Sequence, residues 1–194
     1  MIDLHSTPLI DNHCHAYIRD LGALDPAHFR RLFGEARAPH AAEEHVQTAI
    51  YYRWALKELG RVLGCAATEA AVLQRRAAMP EADYVALLLG EARIETMLID
   101  TGLGGPEFLT LPEMRALTGC RIEHVLRLET LAQDLILQSA RFADFQARLA
   151  QELSDLRARG IVSLKSIAAY RTGLQIERVT EDAAAAAFAQ VRAG

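Results

Sequence analysis

The chain has 194 residues, 51% hydrophobic and 24% charged, an ordinary globular composition long enough to bury a sizeable core. Its formal net charge of −4 offers no basic face to nucleic acid. No apolar run approaches the length needed to cross a bilayer, and Asp3 and His5 interrupt the start where a secretory leader would run apolar.

In chain order, the first informative stretch is Leu9-Ile10-Asp11-Asn12-His13-Cys14-His15-Ala16. It follows a proline, runs apolar and reads as a strand. Alternate residues of a strand share a face, so His13 and His15 project side by side with Asp11 below them. Ile10 and Cys14 are expected to turn the other way, into packing. Residues 17–39 read as a loop with short helical pieces, punctuated by Gly22, Pro26, Gly34 and Pro39. From Ala41 to Leu63 the apolar positions recur at helical spacing, among them Leu59 and Leu63, with Tyr51, Tyr52 and Trp54 expected in the core and Gly64 as the stop. Thr68 is a good N-cap for a second helix through Arg76, and Pro80 opens a third to about Gly90.

Residues 93–102 (Arg-Ile-Glu-Thr-Met-Leu-Ile-Asp-Thr-Gly) then read as a second strand. A short helix over 112–117 follows, with Thr110 as its cap. A third strand covers Arg121 to Glu129. Phe142, Phe145, Leu149, Leu153 and Leu156 mark one stripe of a long helix that closes at Arg159-Gly160. Ile161 to Ala168 is a fourth strand, and Thr180 caps a last helix over 181–191 with acids in its first turn. Strands alternating with helices imply an α/β fold with a parallel sheet and right-handed crossovers. Neither an internal repeat nor a linker is visible. Cys14, Cys65 and Cys120 are odd in number and lack a C-x-x-C, so free thiols in a reducing, cytoplasmic setting are expected.

In parallel α/β architectures the working residues gather at the C-terminal ends of strands. Those ends are all polar here: His13 and His15; Asp100 and Thr101; Arg127 and Glu129; Lys165, Ser166 and Tyr170. Two imidazoles on one strand face make half of a divalent-metal site, against the blander reading of two polar residues at a strand end. Lys165 sits in an apolar strand, where a charged amine is costly unless paired or altered. It is an ordinary lysine paired with Glu129, a metal ligand after carboxylation, or a cation for an anionic substrate. Arg127 and Glu129 read either as a structural ion pair or with Arg127 as a fork for a substrate carboxylate. Asp100 is either an acceptor fixing the tautomer of a ligating histidine or a turn residue before Gly102. His124 is expected packed, and His5, His28, His40 and His45 carry no metal role. The parity of Cys14 sends it away from the histidines.

Ile-Asp-Asn-His-Cys-His at 10–15, Ile-Asp-Thr-Gly at 99–102, Arg-Leu-Glu at 127–129 and Leu-Lys-Ser-Ile-Ala-Ala-Tyr-Arg-Thr-Gly-Leu at 164–174 resemble the amidohydrolase superfamily, most closely its amidohydrolase-2-like branch. The resemblance implies a metal-dependent hydrolase on a (β/α)8 barrel, with metal at the C-terminal mouth. His13 and His15 would be strand-one ligands, and Lys165 would match the fourth-strand position that is a carboxylated bridging lysine in many members. Zinc is the expected metal, with manganese and iron as alternatives. Lys165 and Asp100 are the expected catalytic residues, and Arg127, Glu129 and Tyr170 the substrate contacts. The metal would activate water for attack on an amide, ester or related centre of a small carboxylate-type substrate.

A complete barrel takes about 250 residues, and the segment at about 26–90 is a helical insertion. Residues 1–194 are therefore expected to be a partial barrel of four βα units, an N-terminal half that is inactive alone. A small-molecule substrate is the expected partner, with neither nucleic acid nor membrane; a homo-oligomer, or fusion to a glutamine-synthetase-like module, is the further expectation. The competing readings are a non-catalytic anion-binding or scaffold module of the same fold, and a small complete α/β protein whose histidines are structural.

Overall fold

The computed structural model describes residues 6–19, 24–34, 38 and 40–193, the side chains of 41 and 42 excepted. The readings placed on Asp3, His5, Gly22 and Pro39 lie outside the described residues. The chain divides into two compact units: one of Met1–Leu9, Ile18–Glu95 and Arg115–Gly119, the other of Ile10–Tyr17, Thr96–Met114 and Cys120–Gly194.

The first unit is helical. Helix α1 (Pro26–Arg31) starts where its sequence says it should: Pro26 needs no amide partner in the first turn, and the Asp25 carboxylate accepts from the His28 amide at 2.7 Å. The helix expected over 41–63 is broken. A π-helical turn (Ala41–His45) and a 3-10 turn (Val46–Thr48) precede α2 (Ile50–Leu63), with Ala49 extended between them. Gln47 Nε2 donates to the Glu43 carbonyl at 2.9 Å, and Thr48 Oγ1 donates to that of His45 at 2.9 Å. Side chains thus take up carbonyls that a continuous helix would use. Gly64 ends α2 in the left-handed region, φ 66°, which glycine enters without the Cβ penalty. Thr68 caps α3 (Glu69–Ala77) as expected, accepting from the Ala71 amide, and α4 runs Glu81–Ala92.

The core of this unit is built on Phe29, Tyr52, Leu63 and Val72. Tyr51 and Trp54, expected inside, stack on each other at the surface, 62% and 54% exposed. The inward stripe of α2 is Tyr52, Ala55 and Leu63 with Leu59 partly buried beside them, and Tyr52, Leu59 and Leu63 lie inside as expected.

The second unit contains a four-stranded sheet in the order β1 (Leu9–Cys14), β2 (Ile94–Asp100), β3 (Arg121–Arg127) and β4 (Ile161–Lys165). β2–β3 and β3–β4 pair in parallel, so the α/β expectation holds. Met97 and Ile99 are buried against packing, while Leu98 and Asp100 face a cavity. Ile10, expected to pack, is 64% exposed on the edge strand. β3 ends at Arg127, and Glu129 stands in the first turn of α6 (Leu128–Gln138), an unforeseen helix. The long helix is correspondingly short: α7 covers Phe142–Glu152, and residues 153–160 form turns. There Ser154 Oγ donates to the Gln151 carbonyl at 2.7 Å, the competition with helix that serine readily makes. Short α5 (Leu111–Thr118) begins with a reciprocal box in which Glu113 accepts from the Thr110 amide and hydroxyl at 2.7 and 2.8 Å. β4 is shorter than expected, giving way to α8 (Ala168–Arg171). α9 (Glu181–Ala193) is capped by Thr180 and sets Phe188 against the rings of Phe142 and Phe145 at 5.7 and 5.8 Å.

Candidate functional site

The C-terminal ends of all four strands converge within the second unit. The β1 end supplies His13 and His15, whose rings lie 6.0 Å apart at 71°. β2 supplies Asp100, β3 Arg127 and β4 Lys165. A cavity of about 350 Å3 is lined by Asn12, His13, Leu98, Asp100, Val125, Ser163, Leu164 and Lys165. The register explains the grouping: Asp100 pairs with Val125, and Val125 with Ser163, so those side chains share one face. A register shift at His124/Val125 skips Val162 and sets Arg127 opposite Lys165.

Asp100 is the centre of the cluster, with 1% of its side chain exposed. Its Oδ2 accepts from Arg127 Nη2 at 2.6 Å and from Lys165 Nζ at 2.8 Å, and its Oδ1 accepts from the Gly102 amide at 2.8 Å. Burial pushes this carboxyl up, but the bonds from Arg127, Lys165 and Gly102 outweigh it and hold it well below the usual carboxylate range. The anion therefore persists at neutral pH, and the two cations keep their partner.

His15 Nδ1 lies 3.1 Å from the Asp100 backbone carbonyl and 3.8 Å from its carboxylate. A carbonyl can only accept, so Nδ1 carries the proton and the lone pair is left on Nε2. That is the tautomer a metal needs. Asp100 is placed for both roles open at the sequence level: its carbonyl lies against His15, and its carboxylate closes the turn at Gly102. His13 Nε2 is 2.5 Å from Lys165 Nζ. An ammonium only donates, so His13 also presents an Nε2 lone pair, directed at Lys165. The His15 Nε2 is open to one side of a zinc, manganese or iron site, and His13 Nε2 would join it once Lys165 moved aside. Among the described residues no group of three or more His, Cys, Asp or Glu is arranged to complete it.

The expected partnerships are redrawn. Lys165 pairs with Asp100 and not with Glu129. Arg127 likewise pairs with Asp100, so the Arg127–Glu129 bridge does not form, and Arg127 is too buried, at 9% exposure, to reach out as a substrate fork. The physical reason is the end of β3: Glu129 leaves the strand face and enters a helical turn. There Glu129 Oε1 accepts from Ser166 Oγ at 2.5 Å and the Ile167 amide at 2.9 Å, tying α6 to the end of β4. Tyr170 is 81% exposed on α8 and does not line the cavity. Cys14 donates to the Leu98 carbonyl at 3.5 Å, and burial followed by the nearby Asp11 charge pushes its thiol up to about 12. It is a half-buried thiol tied to the backbone of β2. His124 bonds Thr101 Oγ1 at 2.9 Å, and burial, then the Arg159 charge, lowers its pKa. His28, His40 and His45 belong to the helical unit.

Two polar cavity residues escaped sequence reasoning, besides the apolar Leu98, Val125 and Leu164. Ser163 shares strand parity with Lys165, a signal that could have found it; Asn12 has opposite parity to His13, and no spacing rule points to it.

The chain matches no family model and no curated protein. Among solved structures it is similar to a crystal structure described as a "putative metal-dependent hydrolase" from Lactobacillus casei, with a TM-score of 0.80 and 28% identity. The likeness covers 97% of this chain and 50% of that one, so the chain spans about half the length of its structural neighbour.

Proposed function

We propose that this chain carries part of a metal-dependent hydrolase site of the amidohydrolase-2-like kind, with His13 and His15 as paired ligands of a divalent metal. The observation that carries the reading is the 3.1 Å approach of His15 Nδ1 to the Asp100 carbonyl, which assigns the proton to Nδ1 and leaves Nε2 to coordinate. Zinc suits two imidazoles, with manganese and iron as alternatives. Bound there, such a metal supplies an activated water and polarises a carbonyl of the substrate.

The remaining roles belong to the chain's own residues. Asp100 orients His15 through its carbonyl and holds Lys165 through its carboxylate. Both carboxylate oxygens are engaged, so Asp100 acts as an orienting anion and not as the proton-abstracting base. Lys165, shared by Asp100 and His13, offers charge to an anionic substrate group, and its Nζ could ligate only after losing or exchanging a proton. Asn12 and Ser163 offer neutral hydrogen bonds along the cavity. The sequential strand order, with no reversal of the kind a doubly wound sheet shows, supports a partial (β/α)8 barrel. So does the half-length match to a longer chain. A small carboxylate-bearing amide or ester is the substrate class this charge pattern favours.

The test is Zn2+ uptake by calorimetry and elemental analysis in the longest natural form of the protein, wild type beside His13→Ala/His15→Ala. Near-stoichiometric metal in the wild type, lost in the double variant, is expected. A folded wild type that takes up no metal removes the hydrolase reading.

One observation favours a second reading. Arg127 and Lys165 both converge on the single carboxylate of Asp100, two cations at one anion. A non-catalytic anion-binding module of the same fold would use that charge alone. It would bind small carboxylates equally well in the double histidine variant.

A further inference from the structure

The cluster contains a feature that neither ligation nor substrate binding explains. Gly102 lies so close to Arg127 that a Cβ added there would stand 2.3 Å from Arg127 Nε, 2.5 Å from Cδ and 2.7 Å from Cβ. Side chains do not tolerate such distances, and the Arg127 stem, itself buried, has little room to yield. The sheet register accounts for the crowding. Asp100 pairs with Val125, so two residues further along, past the end of β2, Gly102 comes level with Arg127. The Arg127 Nε is buried with no partner among the described residues, so the guanidinium is held by a single hydrogen bond, from Nη2 to Asp100 Oδ2.

We infer that Gly102 and Arg127 form a positioning device for His15: the side-chain-free Gly102 lets Arg127 lie flat against the β2 turn and clamp Asp100, so that the Asp100 carbonyl stays aimed at His15 Nδ1. The clamp has two jaws. The Gly102 amide holds Oδ1 at 2.8 Å, and the Arg127 guanidinium holds Oδ2 at 2.6 Å. With both oxygens fixed, the Asp100 side chain cannot rotate without breaking a buried bond, and the peptide carrying its carbonyl is pinned with it. The carbonyl then selects the Nδ1-protonated form of His15. Arg127 is therefore a positioning residue that acts through Asp100, and Gly102 is the small residue that makes its place. This inference rests on the metal-ligand reading for its purpose, yet its physical content, the tautomer of His15, exists without metal.

The experiment is two-dimensional long-range 1H–15N NMR of the histidine rings, on the metal-free 194-residue chain, at a pH above which the ring signals no longer move. The proteins compared are the wild type, Gly102→Ala and Arg127→Lys, with circular dichroism reporting the fold. In the wild type His15 is expected as the Nδ1-protonated form. In Gly102→Ala the displaced Arg127 should release Asp100, and His15 should shift to a mixture containing the Nε2-protonated form. Arg127→Lys, which keeps the charge but lacks the planar fork, should fall between the two. His28, in the helical unit, is the control and should not change. A His15 that keeps the wild-type tautomer in a folded Gly102→Ala overturns the inference. If Gly102→Ala does not fold, an unchanged His15 in Arg127→Lys overturns it instead. Zn2+ uptake by the longest natural form of the protein separates the two claims: absent zinc binding there, with the tautomer pattern intact, sinks the hydrolase reading and leaves the positioning device standing.

Discussion

Asp100 and Glu69 show the same physics at the scale of single residues, a carboxylate taken out of water and matched with arginine. Each stays charged because donors replace its lost hydration. Glu69 is bonded by both nitrogens of the Arg30 fork, Nε at 2.6 Å and Nη2 at 2.7 Å, and by the Tyr52 hydroxyl. The bonds from Arg30, set against the opposing effect of burial, lower the Glu69 pKa, and burial followed by the Glu69 bond raises that of Tyr52. A carboxylate whose folded pKa is depressed contributes stability above its unfolded value, about 4.3, and loses it as pH falls through the folded value. Urea unfolding should therefore show wild type losing stability below about pH 4 more steeply than Glu69→Gln. At neutral pH the variant should be less stable by about 1–3 kcal/mol, because Arg30 is left without its charged partner. Equal slopes in acid would show that the Arg30–Glu69 pair contributes nothing to folding.

Helix ends explain most of what was readable at the scale of elements. Thr68 before Glu69, Pro26 after Asp25, Gly64 after Leu63 and Thr180 before Glu181 are local signals, and each sits at an observed boundary. A cap acts through backbone groups within three residues, so no distant contact is needed to make it legible. Thr68→Ala is expected to cost about 1 kcal/mol, read as a lower thermal midpoint with unchanged far-ultraviolet dichroism at room temperature. An unshifted midpoint would mean that the start of α3 is held by packing and not by its cap. Where elements were misread, a side chain competed with the helix or a strand ended early. Gln47 and Thr48 break the 41–63 helix, and the end of β3 at Arg127 sends Glu129 into α6.

At the scale of the whole molecule, each unit has its own buried centre: Phe29, Tyr52, Leu63 and Val72 in one, and the sheet residues Met97, Ile99, Ile122 and Val125 with Phe188 in the other. Phe188 touches two further rings, is 7% exposed, and lies on a helix whose alanine-rich sequence has little else to bury. Phe188→Ala should cost about 3–5 kcal/mol in urea unfolding and free α9 for early proteolysis, while leaving the Zn2+ uptake of the folded protein unaltered. Wild-type resistance to protease in that variant would show that α9 is held by its other contacts, among them Arg192 Nη1 donating to the Ala140 carbonyl at 2.7 Å. No helix among the described residues is long and apolar enough to cross a membrane.

The sequence by itself determined the alternation of strands and helices, the strand ends on which polar residues collect, and the pairing of His13 with His15 on one face. All of these follow from periods of two and 3.6 residues and from local capping, which act over a few neighbouring positions. Only the tertiary structure decided who pairs with whom. Asp100, and not Glu129, received both Arg127 and Lys165, because a register shift in β3–β4 and the early end of β3 lie outside any single segment's pattern. The same holds for the exposure of Tyr51 and Trp54 on α2, for Asn12 in the cavity, and for Gly102 against Arg127. These are contacts between residues distant in the chain, set by packing and register, and a spacing rule along one segment carries no information about them.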